Sequence, residues 1–200
     1  MKHPRGLLEA LRKGVEALEG CRARYALVGA VAISARTEPR FTRDVDLAVA
    51  VDSDEAAERI VSGLIRTGYV LRELFQHESS GTIVTARLVH SKAQDIFTDL
   101  LFRTCGIEAE IVECAETLPV AHELSVKVAG IGHLIAMKVL SRSDERPQDE
   151  SDLAHLLKAA SSSCLEIAEA AVALIQSRGK FHDRGLVAEL CELRKKYASR

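Results

Sequence analysis

Between residues 44 and 51 two kinds of side chain alternate without a break. Val45, Leu47, Val49 and Val51 share one face, and Asp44, Asp46, Ala48 and Ala50 share the other. A period of two over eight residues fits a half-buried β-strand and no helix. The strand points Asp44 and Asp46 the same way, ~6–7 Å apart along the backbone, close enough to share a hard divalent cation. Like charges that near each other repel unless a cation or an arginine neutralises them. Taken alone, the pair reads first as two solvated aspartates at a strand edge beside Arg40 and Arg43. Its setting adds to this. About fifteen residues upstream, Tyr25 to Val28 is a short apolar strand that runs into Gly29 and then an Ala-rich, helix-compatible stretch from Ala30 to Ala35. Such a strand, glycine turn and helix N-terminus can cradle an anion, and the aspartates its counter-cation.

The rest of the chain builds a mixed α/β pattern around these two elements. Leu7, Leu11, Val15 and Leu18 recur at helical spacing, which predicts an amphipathic helix over 6–20 ended by Gly20. Asp52 with Glu55 resembles a capping box opening a helix through Ile65, closed by Gly68. Strands are expected at 69–75, 82–89 and 95–102, with weaker ones at 110–112 and 124–128. From residue 130 the pattern turns helical: one helix around Leu134 and Met137, a second opened by Pro147, and two more near 164–177 and 184–197, with Gly179 as a C-cap between them. The expectation is an α/β (α+β) fold, a mixed β-sheet core over 1–129 flanked by helices, with a C-terminal helical lobe over 130–200.

Composition removes several classes of function. With 27 Lys+Arg against 29 Asp+Glu, no basic excess advertises nucleic acid or an anionic membrane, and 4% aromatics without Trp leave little for base stacking. The five cysteines, Cys21, Cys105, Cys114, Cys164 and Cys191, form no C-x-x-C pair and read as reduced, mostly buried thiols. No apolar run approaches the ~20 residues of a membrane span, and the N-terminus lacks a signal-peptide core, so a cytoplasmic protein is expected. The histidines have no metal spacing, and neither Ser79, Ser80 nor any cysteine has a recognisable base partner. Arg194, Lys195 and Lys196 suit the C-terminal end of a helix dipole.

The ordered stretch from Tyr25 through Gly29, Ala30, Ser34 and Arg36, then Arg40, Thr42, Arg43, Asp44, Asp46 and Leu47, resembles the signature of the polymerase-β-like nucleotidyltransferase superfamily. Within it the chain is most similar to the AbiEii/AbiGii-type toxin nucleotidyltransferases. The likeness continues in Asp99 to Phe102, in Gly106 to Glu108, in Leu134 to Lys138, and from Arg146 through Asp149 to Asp152 and Leu153, covering roughly residues 22–158.

The resemblance implies roles. Gly29 and Ala30 form the triphosphate-contacting turn. Asp44, Asp46 and Asp99 are the catalytic carboxylates and ligands of two Mg2+ ions, with Asp99 beside the nucleophile. Lys138 contacts the nucleotide, and Asp149 organises the site by pairing with it. Asp95, four residues before Asp99, competes with it as the third carboxylate. Ala30 departs from the family's usual Gly or Ser and removes a hydroxyl while leaving backbone N–H donors. The function implied is Mg2+-dependent transfer of a nucleoside monophosphate from an NTP to a hydroxyl, on a tRNA end or a protein side chain, in a toxin–antitoxin or phage-defence setting with a cognate antitoxin. The alternative is a catalytically weak module that binds a nucleotide or a partner, and Ala30 is its sequence support.

Overall fold

The computed structural model describes residues 5–92, 96–143, 145–179 and 184–197. The alternating stretch forms a central strand of a seven-stranded sheet. In chain order the elements are α1 (Arg5–Gly20), β1 (Arg24–Val28), α2 (Gly29–Arg36), β2 (Asp44–Ala50), α3 (Asp54–Arg66), β3 (Tyr69–Gln76), β4 (Ile83–His90), β5 (Phe97–Leu101) and α4 (Glu108–Glu113). There follow β6 (Glu116–Ala121), β7 (Leu124–Val128), α5 (Ile131–Ser141), α6 (Pro147–Ala159), α7 (Ser162–Ser177) and α8 (Leu186–Tyr197). The sheet order is β3-β4-β5-β2-β1-β7-β6. It is mixed: β2 runs parallel to β5 and β1 to β7, and the other neighbours are antiparallel.

The face carrying Val45, Leu47 and Val49 is buried, and α1 lies against it so closely at Gly14 that an added Cβ would sit 3.3 Å from Leu47 Cδ1. The aspartate face looks the other way, towards α2 and the C-terminal helices. One hydrophobic cluster runs from Leu7 in α1 to Leu193 in α8, so the helical lobe shares the core of the sheet. Within that lobe α5 and α7 touch through Gly132, where a Cβ would meet the Cys164 carbonyl oxygen at 2.5 Å. No helix among the described residues is long and apolar enough to cross a membrane.

Three local expectations are corrected. Residues 110–112 lie in α4, because Glu108, Ile111 and Val112 turn inward at helical spacing. The strand beside β7 is β6, and its Pro119 is tolerated because β6 is a sheet edge. The N-cap of α3 is Ser53, whose hydroxyl accepts the Ala56 N–H, and not Asp52. Of the five cysteines only Cys105 is buried; Cys114 and Cys191 are exposed. Asp95 lies outside the described residues.

Candidate active site

A cleft of about 590 Å³ opens between the sheet and helices α5 and α6. Its floor is the crossing of β1, β2 and α2. Val28 pairs in register with Asp46, and the chain turns at Gly29 with φ +63°, directly into α2. A Cβ on Gly29 would lie 2.0 Å from Asp46 Oδ2, so only glycine leaves room for that carboxylate. No side chain caps the N-terminus of α2. Its first-turn N–H groups therefore remain available at the cleft floor.

Asp44 and Asp46 both line this cleft, as the alternation requires. The Asp44 N–H donates to Thr42 Oγ1 at 3.3 Å, which fixes the entry to the strand. Burial, followed by the charges of Asp99 and Asp44, pushes Asp46 up to about 7 against the opposing pull of Lys138 and Arg87. Asp44 is raised by burial and then by Asp99. Among the described residues no hydrogen bond or ion pair reaches either carboxylate. Arg43 is exposed and lies 5.7 Å over the Phe41 ring, away from the aspartates.

The opposite wall is built on ion pairs. Lys138 Nζ on α5 sits 2.5 Å from Asp149 Oδ1 and 2.9 Å from Asp152 Oδ2 on α6. Ser141 Oγ donates to Asp149 at 3.1 Å. Asp152, completely buried, is also held by Arg40, with Nε and Nη2 each 2.8 Å from one of its oxygens. Pairing of this kind offsets the cost of taking a carboxylate out of water. The Arg40 N–H in turn donates to Ser34 Oγ at 3.2 Å, so the loop before β2 is pinned to both α2 and α6.

Gly29, Ala30, Asp44, Asp46, Lys138 and Asp149 thus meet in one cleft. Asp99 stands beside Asp46 in register but does not line it. Its two oxygens accept from Arg87 Nε at 2.9 Å and Nη2 at 2.7 Å. Among the described residues no three His, Cys, Asp or Glu side chains converge to hold a metal ion. Arg40, Asp152 and Arg87 were not legible as site residues. The signal for Arg87 is a lone cation inside the largely apolar strand Ile83–His90, the counterpart of the lone Asp99 on the next strand.

An anion bound at the α2 N-terminus would face two unpaired carboxylates, which are hard oxygen donors suited to a divalent cation. The donor set therefore fits a divalent cation held by Asp44 and Asp46.

Three comparisons bear on this geometry. A solution structure of the antibiotic-resistance factor ANT(2'')-Ia aligns with TM-score 0.52 at 17% identity over 96% of this chain and 91% of that one. An antigenic nucleotidyltransferase-like protein from Paracoccidioides brasiliensis gives 0.52 at 16% identity, covering 93% and 91%. ANT(2'')-Ia in complex with adenylyl-2''-tobramycin gives 0.50 at 15% identity, covering 96% and 98%. At these identities the likeness is one of fold. A search of curated proteins finds no match. The family model described as "Nucleotidyl transferase AbiEii toxin, Type IV TA system" matches residues 15–198, so the chain belongs to the AbiEii nucleotidyltransferase family and is a nucleotidyltransferase.

Proposed function

We propose that this nucleotidyltransferase moves a nucleoside monophosphate from an NTP to a hydroxyl acceptor in the cleft described above, using Mg2+ held by Asp44 and Asp46. The observation that carries the reading is the pair of unpartnered carboxylates set against the uncapped start of α2, at a position where Gly29 admits nothing larger. The α2 N–H groups bind phosphate oxygens, and the missing Cβ of Gly29 lets those oxygens approach Asp46. Ala30 keeps its backbone donor and forgoes a hydroxyl contact.

Lys138 faces the cleft with its ammonium oriented by Asp149 and Asp152, and it contacts the nucleotide from the helical wall. That tether keeps a flexible side chain in place before substrate arrives. Asp44 and Asp46 would hold the magnesium, which when bound would supply charge neutralisation for the phosphates and the leaving pyrophosphate. Family membership supports a toxin role with a cognate antitoxin. The near-neutral net charge of −2 does not favour an extensive RNA footprint, so both a tRNA end and a protein hydroxyl stand as acceptors.

The test is transfer of label. Purified chain with each α-labelled NTP, Mg2+ and either total tRNA or cell lysate is expected to label one acceptor class, and Asp46→Ala to abolish the signal. Tight NTP binding with no labelled acceptor under any of these conditions would establish the binding-module alternative instead.

A further inference from the structure

Across three adjacent strands one register row reads Asp46 on β2, Asp99 on β5 and Arg87 on β4. All three side chains therefore project from the same face of the sheet. Asp99 is 5% exposed and lies between a carboxylate on one side and a guanidinium on the other. The guanidinium takes both of its oxygens in a fork, the strongest geometry a carboxylate and an arginine can form. Arg87 is itself braced, 5.1 Å over the Phe97 ring and 3.7 Å from Glu73 Oε2 on the outer strand β3. Asp44 and Asp46 have no such partner.

We propose that Arg87 is a built-in cation at the third carboxylate, so that this chain works with one divalent ion, held by Asp44 and Asp46, where the family pattern implies two. The inference rests on the proposed function above and deepens it. An arginine that stays charged throughout the accessible pH range gives Asp99 the counter-charge a second ion would otherwise supply. Unlike an ion, it cannot dissociate. Asp99 then acts as a positioning residue: its charge anchors Arg87 beside the row instead of coordinating metal.

The test counts ions. Mn2+ is titrated into the full chain with the α,β-methylene analogues of the four NTPs, and free Mn2+ is read by electron paramagnetic resonance. The wild type is expected to hold one ion per chain, and Arg87→Met to hold two, because Asp99 is released. The double variant Arg87→Met/Asp99→Asn returns to one, with affinity within about threefold of wild type. The double variant buries no unpaired charge, so it decides the matter even if Arg87→Met fails to fold. Its loss of the ion by tenfold or more would make Asp99 a ligand and overturn the inference. Two ions on the wild type would overturn it while leaving the proposed function standing. No ion with any of the four analogues would overturn both.

Discussion

On the helical wall of the cleft the buried carboxylates have their cations: Asp149 and Asp152 share Lys138, and Arg40 closes on Asp152. On the sheet floor Asp44 and Asp46 repel each other and Asp99, and nothing among the described residues offsets them by direct contact. The two regions put the same residue type to opposite use. A paired, buried aspartate ties elements together, and its removal leaves cations stranded in the interior. An unpaired one costs stability and, under the proposed function, is retained for the cation it would bind. Substitutions should separate the two regions cleanly, activity responding at the floor and stability at the wall.

The largest effect is expected at Asp46. Asp46→Asn keeps the shape and removes the charge, and transfer should fall by roughly 10³-fold or more, since several kcal/mol of charge stabilisation pass through that carboxylate. Stability in urea should hold or rise, because the repulsion with Asp44 and Asp99 is relieved. Asp152→Asn should invert the pattern. Removing the charge of this completely buried carboxylate strands Lys138 and Arg40, which are themselves only partly exposed, and costs up to about 3–5 kcal/mol, read as a lower urea midpoint. Equal losses of stability in the two variants would erase the distinction between floor and wall.

The floor was legible in the sequence and much of the wall was not, for a physical reason. Asp44, Asp46 and Gly29 are fixed by local rules, a period of two and a turn with positive φ, which a single segment displays. The pairing of Lys138 with Asp149 was implied by family pattern and not by local spacing. Arg40, Asp152 and Arg87 act across 112 residues in one pair and 12 in the other, and no local periodicity reports a contact between segments. Asp99 shows the limit most clearly. Its place in an apolar strand demanded a partner, and the strand alone did not say whether that partner was a metal or an arginine. The fold followed the same division: α1, β2 and α5 follow from their patterns, while β6, with Pro119 inside it, becomes a strand only because β7 pairs with it.

Gly29 tests how tightly the turn and the floor are coupled. Gly29→Ala places a methyl at φ +63° and within 2.0 Å of the original position of Asp46 Oδ2. The backbone term is about 1 kcal/mol, modest beside the expected loss of activity. Displacing a reacting group by an ångström costs about 10²-fold in rate, and that loss is expected in transfer assays together with a fall in melting temperature, because the added Cβ would also lie 2.9 Å from Asp46 Cβ, which no side-chain rotation moves away. A smaller effect is expected at Ala30, whose side chain lines the cleft beside the α2 donors. Ala30→Ser restores the hydroxyl common in the family, and a hydrogen bond to a charged group is worth about 1.5 kcal/mol, or about tenfold in NTP affinity. Unchanged affinity would show that backbone donors alone saturate the phosphate contacts.

The smallest effect lies where the paired wall reaches the surface. Glu150 on α6 receives Arg142 Nε at 2.7 Å, Lys196 Nζ at 2.7 Å and the Tyr197 hydroxyl, so it joins α6 to α8. These contacts, Lys196 first and then Tyr197, hold its carboxyl down at about 2, below its ordinary 4.5. A depressed carboxylate contributes stability that is complete above the unfolded value and is lost as pH falls towards the folded one. Glu150→Gln should therefore lower the urea midpoint slightly at pH 7, and the gap to wild type should narrow as pH drops from about 5 towards 2. Because the pairs are partly solvent-exposed, 0.5 M salt should also narrow it at pH 7, whereas salt should leave the Asp152→Asn deficit nearly intact.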